Sequence, residues 1–511
     1  MAASGCLTVY RVGELIDDEC YEEMTMAEFD FDIGILGGGA AGLTVTAGAA
    51  QLGAKALLIE KEPALGGDCL HYGCVPSKTL IHSAHVYHLM KTGRRFGLPE
   101  IEVPPVDFRR IAGRIKEVIS QIQTHDSEER FCGLGAKVMF GDASFHDEHT
   151  VQLDGNRFSA KNWVIATGSS PVAPPIPGLH ETGFLTNREI FSLDRLPESL
   201  TILGGGPIGI EMAQAFSRLG SRVTVVDRAE QILGKEDRDM ADAVMEVLAG
   251  EGVGFHLGAS IESVEMAGTQ KTVALKTAAG NQVHLVSEEI LVAMGRAATV
   301  DGLNLESIGV DFEPGGILVD SRLRTSQKHI FAAGDVSGGY QFTHAAGYEG
   351  GIVVSNAIFH LPRKTDYTFL PWCTYTDPEL ASIGMNETIA KRAGRDYTIW
   401  TEAFQDNDRS LAEGEQLGKI KMILDKKEKP LGVQILGPRA GDLIAEWAVA
   451  LNGKVKLSTL AAAVHPYPTL GEINKRVVGS YFSPKIFSDK VQKGLKFFFN
   501  LKGRACYLEE D

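Results

Sequence analysis

Residues Gly66 to Leu80 read GGDCLHYGCVPSKTL, and this stretch decides what the rest of the chain is for. Cys69 and Cys74 are separated by four residues, a little over one helical turn, so a helix would carry both sulfurs on one face. A bridge needs Cβ atoms ~3.8 Å apart, and Gly66, Gly67 and Gly73 let the backbone bend to meet that distance. Pro76 and Ser77 suit the first turn of a continuing helix, whose positive end lowers the pKa of a nearby thiol. Two free cysteines or a purely structural bridge are the plainer readings. Zinc is poorly supported, because no second Cys or His pair stands at ligand spacing. The stretch reads as a disulfide built to open and close.

Upstream, the apolar run Phe31–Leu36, FDIGIL, ends in Gly37, Gly38, Gly39, Ala40, Ala41 and Gly42. A helical stretch follows, then a strand Ala56–Ile59 ending in Glu60. Strand, glycine turn, helix and strand in this order let backbone N–H groups approach a pyrophosphate, while the terminal acid accepts ribose hydroxyls. The pattern recurs. A strand from Thr201 enters Gly204, Gly205, Gly206, Pro207, Ile208 and Gly209, a helix runs to Leu219, and a strand Arg222–Val226 ends at Asp227. Two such units imply two dinucleotides. Asp227 would bond a ribose 2′-hydroxyl and repel a 2′-phosphate, whereas neighbouring Arg228 would welcome one; the balance favours NADH.

With the cysteine pair directly after the first unit, the chain resembles the FAD-dependent pyridine nucleotide-disulfide oxidoreductases, which include lipoamide dehydrogenase, glutathione reductase and mercuric reductase. The resemblance runs from about Asp30 to Ser480. It implies an α/β fold with two Rossmann-like domains, for FAD and NAD(P)H, and a C-terminal α+β domain that makes a two-fold dimer. The implied boundaries are an acidic extension at 1–29, an FAD domain at 30–180 and 299–363, an NAD(P)H domain at 181–298, a dimerisation domain at 364–480 and a basic tail at 481–511. Gly37, Gly39, Gly42 and Glu60 would hold FAD, together with Thr167 and Gly168 of an ATG segment. Asp335 would bind the ribityl chain, and His344 would position the pyrimidine end rather than donate a proton. Gly204, Gly206, Gly209, Asp227, Arg228 and Gly295 complete the cofactor set. Lys78 would pair with Glu211 beside the flavin and stabilise negative charge on the reduced ring. By the same match Cys74 is the sulfur nearest the flavin, and Cys69 exchanges with substrate.

The resemblance narrows at His465-Pro466-Tyr467-Pro468-Thr469-Leu470-Gly471-Glu472. Lipoamide dehydrogenases and glutathione reductases place an acid-base His directly before Pro-Thr, with a Glu that assists it. Here Tyr467 holds that position, as in mercuric reductases, and His465 stands two residues too early. A phenol with a pKa of about 10 is a poor base near neutrality but donates a hydrogen bond to a thiolate or ligand. The resemblance implies that His465, Tyr467 and Glu472 face the partner subunit's disulfide, with His465 able to act only through a rearranged loop. The match to mercuric reductase is also incomplete. Those enzymes end in a vicinal cysteine pair, whereas GRACYLEED holds only Cys506, and Phe184 stands where a second pocket tyrosine is common.

The remaining sequence bounds these readings. A chain of 511 residues with 44% hydrophobic and 23% charged content describes a globular protein of about three domains. A net charge of −16 disfavours nucleic-acid binding, and seven cysteines are too few for a secreted disulfide scaffold. The N-terminus resembles neither a signal nor a transit peptide, and no apolar run is long enough to span a bilayer, so a cytoplasmic location is expected. From Ile486 to Asn500, Phe487, Val491, Leu495 and Phe498 recur at helical spacing with Lys490, Lys493 and Lys496 elsewhere on the wheel. Such a helix either docks on its own protein or touches an anionic membrane. The expected activity is reduction of a disulfide or soft metal ion by NAD(P)H through FAD and Cys69–Cys74. A membrane-docked electron-transfer adaptor or redox sensor, and a dihydrolipoamide dehydrogenase, are the alternatives.

Overall fold

The computed structural model describes residues 29–506; the extension before Phe29, with Cys6 and Cys20, lies outside the described residues. Phe31–Leu36 is the central strand of the first sheet because its Ile33 and Ile35 are wholly buried, as expected for a strand covered on both faces. It pairs in parallel with Ala56–Glu60, Ile33 opposite Ala56, and with Asn156–Ile165, Ile33 opposite Asn162. Lys137–Phe140 extends the sheet beyond Ala56–Glu60, and Ile330–Ala332 returns from far along the chain to pair with Asn156–Ile165. One face is covered by the helices Ala40–Gln51 and Thr343–Ala357, which meet through small residues. A Cβ on Gly350 would lie 2.9 Å from Thr44 Cβ.

The second nucleotide unit is a four-stranded parallel sheet ordered Gly254–His256, Arg222–Val226, Ser199–Leu203, Glu289–Val292. Its helix Pro207–Leu219 packs on the long helix Cys74–Thr92, so that Leu80 and Ala84 share one core with Ile210, Met212 and Phe216. The C-terminal unit is a five-stranded antiparallel sheet ordered Pro371–Thr374, Glu379–Gly384, Pro430–Gly437, Lys419–Asp425, Tyr397–Ala403. Helices Ala440–Asn452 and Glu472–Ile486 cover it around the buried Trp447. The fold is the expected mixed α/β architecture of two dinucleotide units and an α+β unit. No described helix is long and apolar enough to cross a membrane.

By its sequence the charged stretch 105–130 reads as one long helix and Lys137–Leu153 as hairpin strands, and both expectations change. The charged stretch 105–130 is not one helix: Phe108–Gln123 stops, and Ser127, in an extended conformation, starts a new one by accepting the Arg130 N–H on its hydroxyl. Nor is Lys137–Leu153 a simple hairpin, since Lys137–Phe140 joins the parallel sheet and only Ala143–Phe145 and Thr150–Leu153 pair antiparallel.

One buried charge ties the C-terminal sheet to the nucleotide unit. The Lys421 ammonium donates to Asp239 at 2.7 Å, Glu387 at 2.8 Å and Asp237 at 3.2 Å, and its side chain is 2% exposed. These three carboxylates lie close enough together to hold a cation, and the ammonium fills that role. Removing one partner of a buried ion cluster is far costlier than never having built it. Lys421→Met should lower unfolding stability at neutral pH by about 3 kcal/mol or more, read by denaturant melts of the purified protein. A loss below 1 kcal/mol (roughly the worth of a surface pair) would contradict this account.

Candidate functional site

Both glycine turns are shaped so that a side chain would not fit. Gly37 has φ +106°, and a Cβ there would lie 2.4 Å from the Ala166 carbonyl oxygen; a Cβ on Gly42 would lie 1.9 Å from the Gly37 oxygen. The second turn repeats this. Gly204 has φ +116° with its Cβ position 2.3 Å from the Ala293 oxygen, and a Cβ on Gly209 would lie 2.0 Å from the Gly204 oxygen. The helices that follow begin at Gly39 and Gly206 without any side-chain cap, which leaves first-turn N–H groups for an anionic ligand. Glu60 accepts the Gly38 N–H at 2.5 Å and the Glu62 N–H at 2.7 Å; Asp227 accepts Gly205 at 2.6 Å and Ala229 at 2.7 Å. Two cradles of the same local design thus fit two dinucleotides.

A single cavity of about 1630 Å³ joins the cradles. Of the expected cofactor residues, all but Gly42 and Gly209 line it; those two lie beneath the turns and let the helices approach. Thr167 donates to the Thr299 carbonyl at 2.6 Å, next to Gly168. Asp335 accepts the Ser169 hydroxyl at 2.6 Å, and burial holds its carboxyl above the usual range despite that bond. Arg296, directly after Gly295, donates to Ser169 and lies 3.2 Å from Asp68, neutralising this end of the cavity. The His344 Nε2 atom sits 2.8 Å from the Pro371 carbonyl, and its ring stacks on Phe342, so it is held rather than free.

The cysteines meet in the middle of the same cavity, by a different local route from the expected single helix. Cys69 lies in the short helix Gly67–His71, and Cys74 opens Cys74–Thr92. The turn between them needs Gly73, where a Cβ would lie 3.0 Å from the Asp68 oxygen and 3.2 Å from Cys69 Cα. Both residues are thiols here. A hydrogen bond from Cys69 lowers the Cys74 pKa from 9.0 to about 6, against burial, with help from Thr343 and Lys78. The Thr343 hydroxyl is 3.4 Å from the Cys74 sulfur. Donating to Cys74, together with burial, drives the Cys69 pKa strongly upward. One sulfur is prepared as a thiolate and the other as its proton-bearing partner.

Lys78, one turn along from Cys74, donates to Glu211 at 2.8 Å. The other Glu211 oxygen accepts the Tyr375 N–H at 2.9 Å, and the Lys78 ammonium lies 4.5 Å from the Tyr375 ring centroid. Burial opposes the Lys78 charge, but Glu211 outweighs it and raises the pKa. Beside this pair stands a third thiol, Cys373, whose pKa burial pushes well above the ordinary value. Arg296, Thr343 and Cys373 are cavity residues that sequence reasoning missed; Thr343 and Arg296 stand directly beside expected residues, His344 and Gly295.

His465, Tyr467 and Glu472 do not reach this cavity within the chain. The His465 Nε2 atom faces Glu446 at 3.1 and 3.3 Å, and Asn474 braces the same carboxylate at 2.8 Å. Tyr467 is 71% exposed and donates to Asp408 at 2.8 Å, an acceptor that also raises its pKa. Glu472 accepts the Thr469 N–H at 3.4 Å. The three sit at the start of Glu472–Ile486, on the C-terminal unit.

Two nucleotide cradles joined at a dithiol define a flavoprotein disulfide reductase, and comparison with known proteins agrees. Residues 31–350 match the family described as Pyridine nucleotide-disulphide oxidoreductase, and residues 370–477 match its dimerisation domain. A mercuric reductase of Lysinibacillus sphaericus is 34% identical over 466 residues, covering 91% of this chain and 85% of that one. A dihydrolipoyl dehydrogenase of Bacillus subtilis (strain 168) is 35% identical over 449 residues, 86% of this chain and 96% of that one. The Cu(II) complex of the HOCl-induced flavoprotein disulfide reductase RclA from Escherichia coli matches with a TM-score of 0.79 at 29% identity, covering 88% of this chain and 99% of that one. The chain belongs to the pyridine nucleotide-disulphide oxidoreductase family: it is an FAD- and NAD(P)H-dependent oxidoreductase and a homodimer.

Two outcomes follow from this geometry. Gly42→Ala should yield protein without flavin, whereas Gly209→Ala should keep flavin and lose NADH affinity at least about tenfold, a cost of ~1.4 kcal/mol; equal flavin loss in both would contradict the assignment of the cradles. In the reduced protein, thiolate absorbance near Cys74 should be present above pH 6 and lost as pH falls through about 6, the shifted Cys74 value. Thr343→Ala should move that midpoint up, and a parent midpoint near the ordinary 9.0 would overturn the account.

Proposed function

We propose that the dithiol Cys69–Cys74 reduces a soft metal ion, in the manner of a mercuric reductase, with substrate disulfides as the second acceptor class. The observation that carries this reading is Tyr467 before Pro468, where the resemblance to lipoamide dehydrogenases and glutathione reductases leads to the expectation of an imidazole, with His465 committed to Glu446. Bound FAD and NAD(P)H supply the electron pair. Two sulfurs on adjacent helix ends make a ligand pair for a soft cation, which displaces the Cys69 proton and binds between them. A mercuric ion held there takes the electron pair and leaves as the metal; with copper, two cupric ions in turn take one electron each and leave as cuprous. Reduction of a disulfide would instead begin with passage of the Cys69 proton to the Cys74 thiolate. Cys69 then attacks one substrate sulfur, and the other leaves as a thiolate that takes the proton from Cys74. Cys74 attacks Cys69 to release the second substrate thiolate and close the bridge. Lys78, paired with Glu211, holds positive charge at the face where electrons arrive.

The coenzyme reading is NADH, supported by Asp227 at the ribose end of the second cradle; Arg228 beside it is exposed. Sharing of the site between subunits is supported by the position of His465, Tyr467 and Glu472 on the dimerisation unit, outside their own cavity. A cytoplasmic enzyme with a peripheral membrane contact is a further part of the reading. One observation favours that contact: helix Asp489–Phe499 buries none of its residues.

The test is NADH and NADPH oxidation by the holoenzyme with mercuric ion, cupric ion, lipoamide, glutathione disulfide or a quinone, each repeated with Cys69→Ala. Metal-dependent oxidation with NADH preferred, falling to background in the variant, is expected. Fast lipoamide turnover would make it a dihydrolipoamide dehydrogenase and return the proton-shuttle role to His465. Turnover with no acceptor would favour an electron-transfer adaptor or redox sensor.

A further inference from the structure

The C-terminal helix Asp489–Phe499 stands off the body of the protein. Phe497, Phe498 and Phe499 are 82%, 77% and 70% exposed, and Ile486, Phe487 and Leu501 around the helix are exposed as well. At about 100° per residue, Val491, Leu495, Phe498 and Phe499 share one side. Lys490, Lys493 and Lys496 occupy the other, and Lys502 and Arg504 follow. Against these cations the segment from Ser488 to Arg504 carries a single acid, Asp489. The chain as a whole has a net charge of −16, so this basic and aromatic segment has the opposite sign to its body.

Three consecutive phenylalanines on a helix point in directions about 100° apart, over more arc than one flat protein face covers. A lipid interface covers such an arc, since acyl chains flow round the apolar side while Lys490, Lys493 and Lys496 reach up to headgroups. We propose that residues 486–504 are an interfacial anchor that seats the homodimer on a bilayer leaflet rich in anionic lipid, Phe498, Phe499, Leu495 and Val491 entering the acyl boundary and the lysines meeting phosphate. This rests on the peripheral reading above and names its surface. One such helix binds weakly and reversibly, but the dimer carries two, and the second engages at the high effective concentration set by the first. The negative body then faces away from the leaflet, which makes the attachment salt-sensitive.

The experiment is flotation of the full-length holoenzyme with vesicles of phosphatidylcholine alone and of phosphatidylcholine mixed with phosphatidylserine, at low and high salt. Flotation with the mixed vesicles only, weakened by salt, is expected. K490E/K493E/K496E and F497S/F498S/F499S should each abolish it, with flavin content and NADH oxidation by soluble acceptors unchanged, because none of these side chains is buried. Equal flotation with both vesicle types would overturn the anionic preference and leave a peripheral contact standing. Absence of flotation with either would remove both. Flotation that survives both variants would show that the tail is not the anchor. A fall from dimer to monomer in the phenylalanine variant would assign the helix to the partner subunit instead.

Discussion

The salt bridge between Lys78 and Glu211 is the contact on which the site depends. It joins the helix that starts at Cys74 to the helix that starts at the second glycine turn, and through the Tyr375 amide it also holds the start of the C-terminal unit. Three segments from distant parts of the chain are thereby fixed around one dithiol. Behind the ion pair the same two helices share an apolar core, with Leu80 and Ala84 against Ile210 and Phe216. The polar contact sets the register and the apolar contact supplies the rigidity. A charge pair at this depth holds its geometry because Glu211 accepts from two donors and is nearly buried, so neither oxygen is left unpaired.

Much of this was legible in the sequence because the nucleotide cradles are local. A strand, a glycine turn and a helix lie within some twenty residues, and each glycine answers a contact with backbone only a few residues or one strand away, as Gly42 does with Gly37. Glu60 and Asp227 were legible for the same reason, each closing its own turn. What escaped depends on distant pairing. Arg296 meets Asp68 from across the chain, Thr343 reaches Cys74, and Cys373 arrives beside Lys78 only once the C-terminal sheet has docked. The cysteine stretch itself was misread locally: two helices meeting at Gly73, rather than one, bring its sulfurs together.

The loop before Glu472–Ile486 shows how a neighbour can decide a residue's chemistry. His465 has the right side chain for proton transfer, yet Glu446 and Asn474 form a braced acceptor for its Nε2 edge, while its Nδ1 atom is buried without a partner among the described residues. Tyr467, two residues on, is left outside with its hydroxyl on Asp408. Here the exposed group is a phenol, which donates a hydrogen bond but is a poor base near neutrality.

Three sulfurs around one cavity pose a problem of traffic. If Cys69, Cys74 and Cys373 were equally nucleophilic, any two could pair, and a wrongly closed bridge would strand the electron pair away from the substrate. The structure grades them instead. Cys74 alone is acidic enough to be a thiolate at neutrality, Cys69 is tied to it as the donor, and burial keeps Cys373 protonated. Thiol exchange proceeds through the thiolate, so the unequal acidities direct each exchange to a single pair. Burial of a polar atom, ordinarily a cost of folding, here acts as insulation on the electron path.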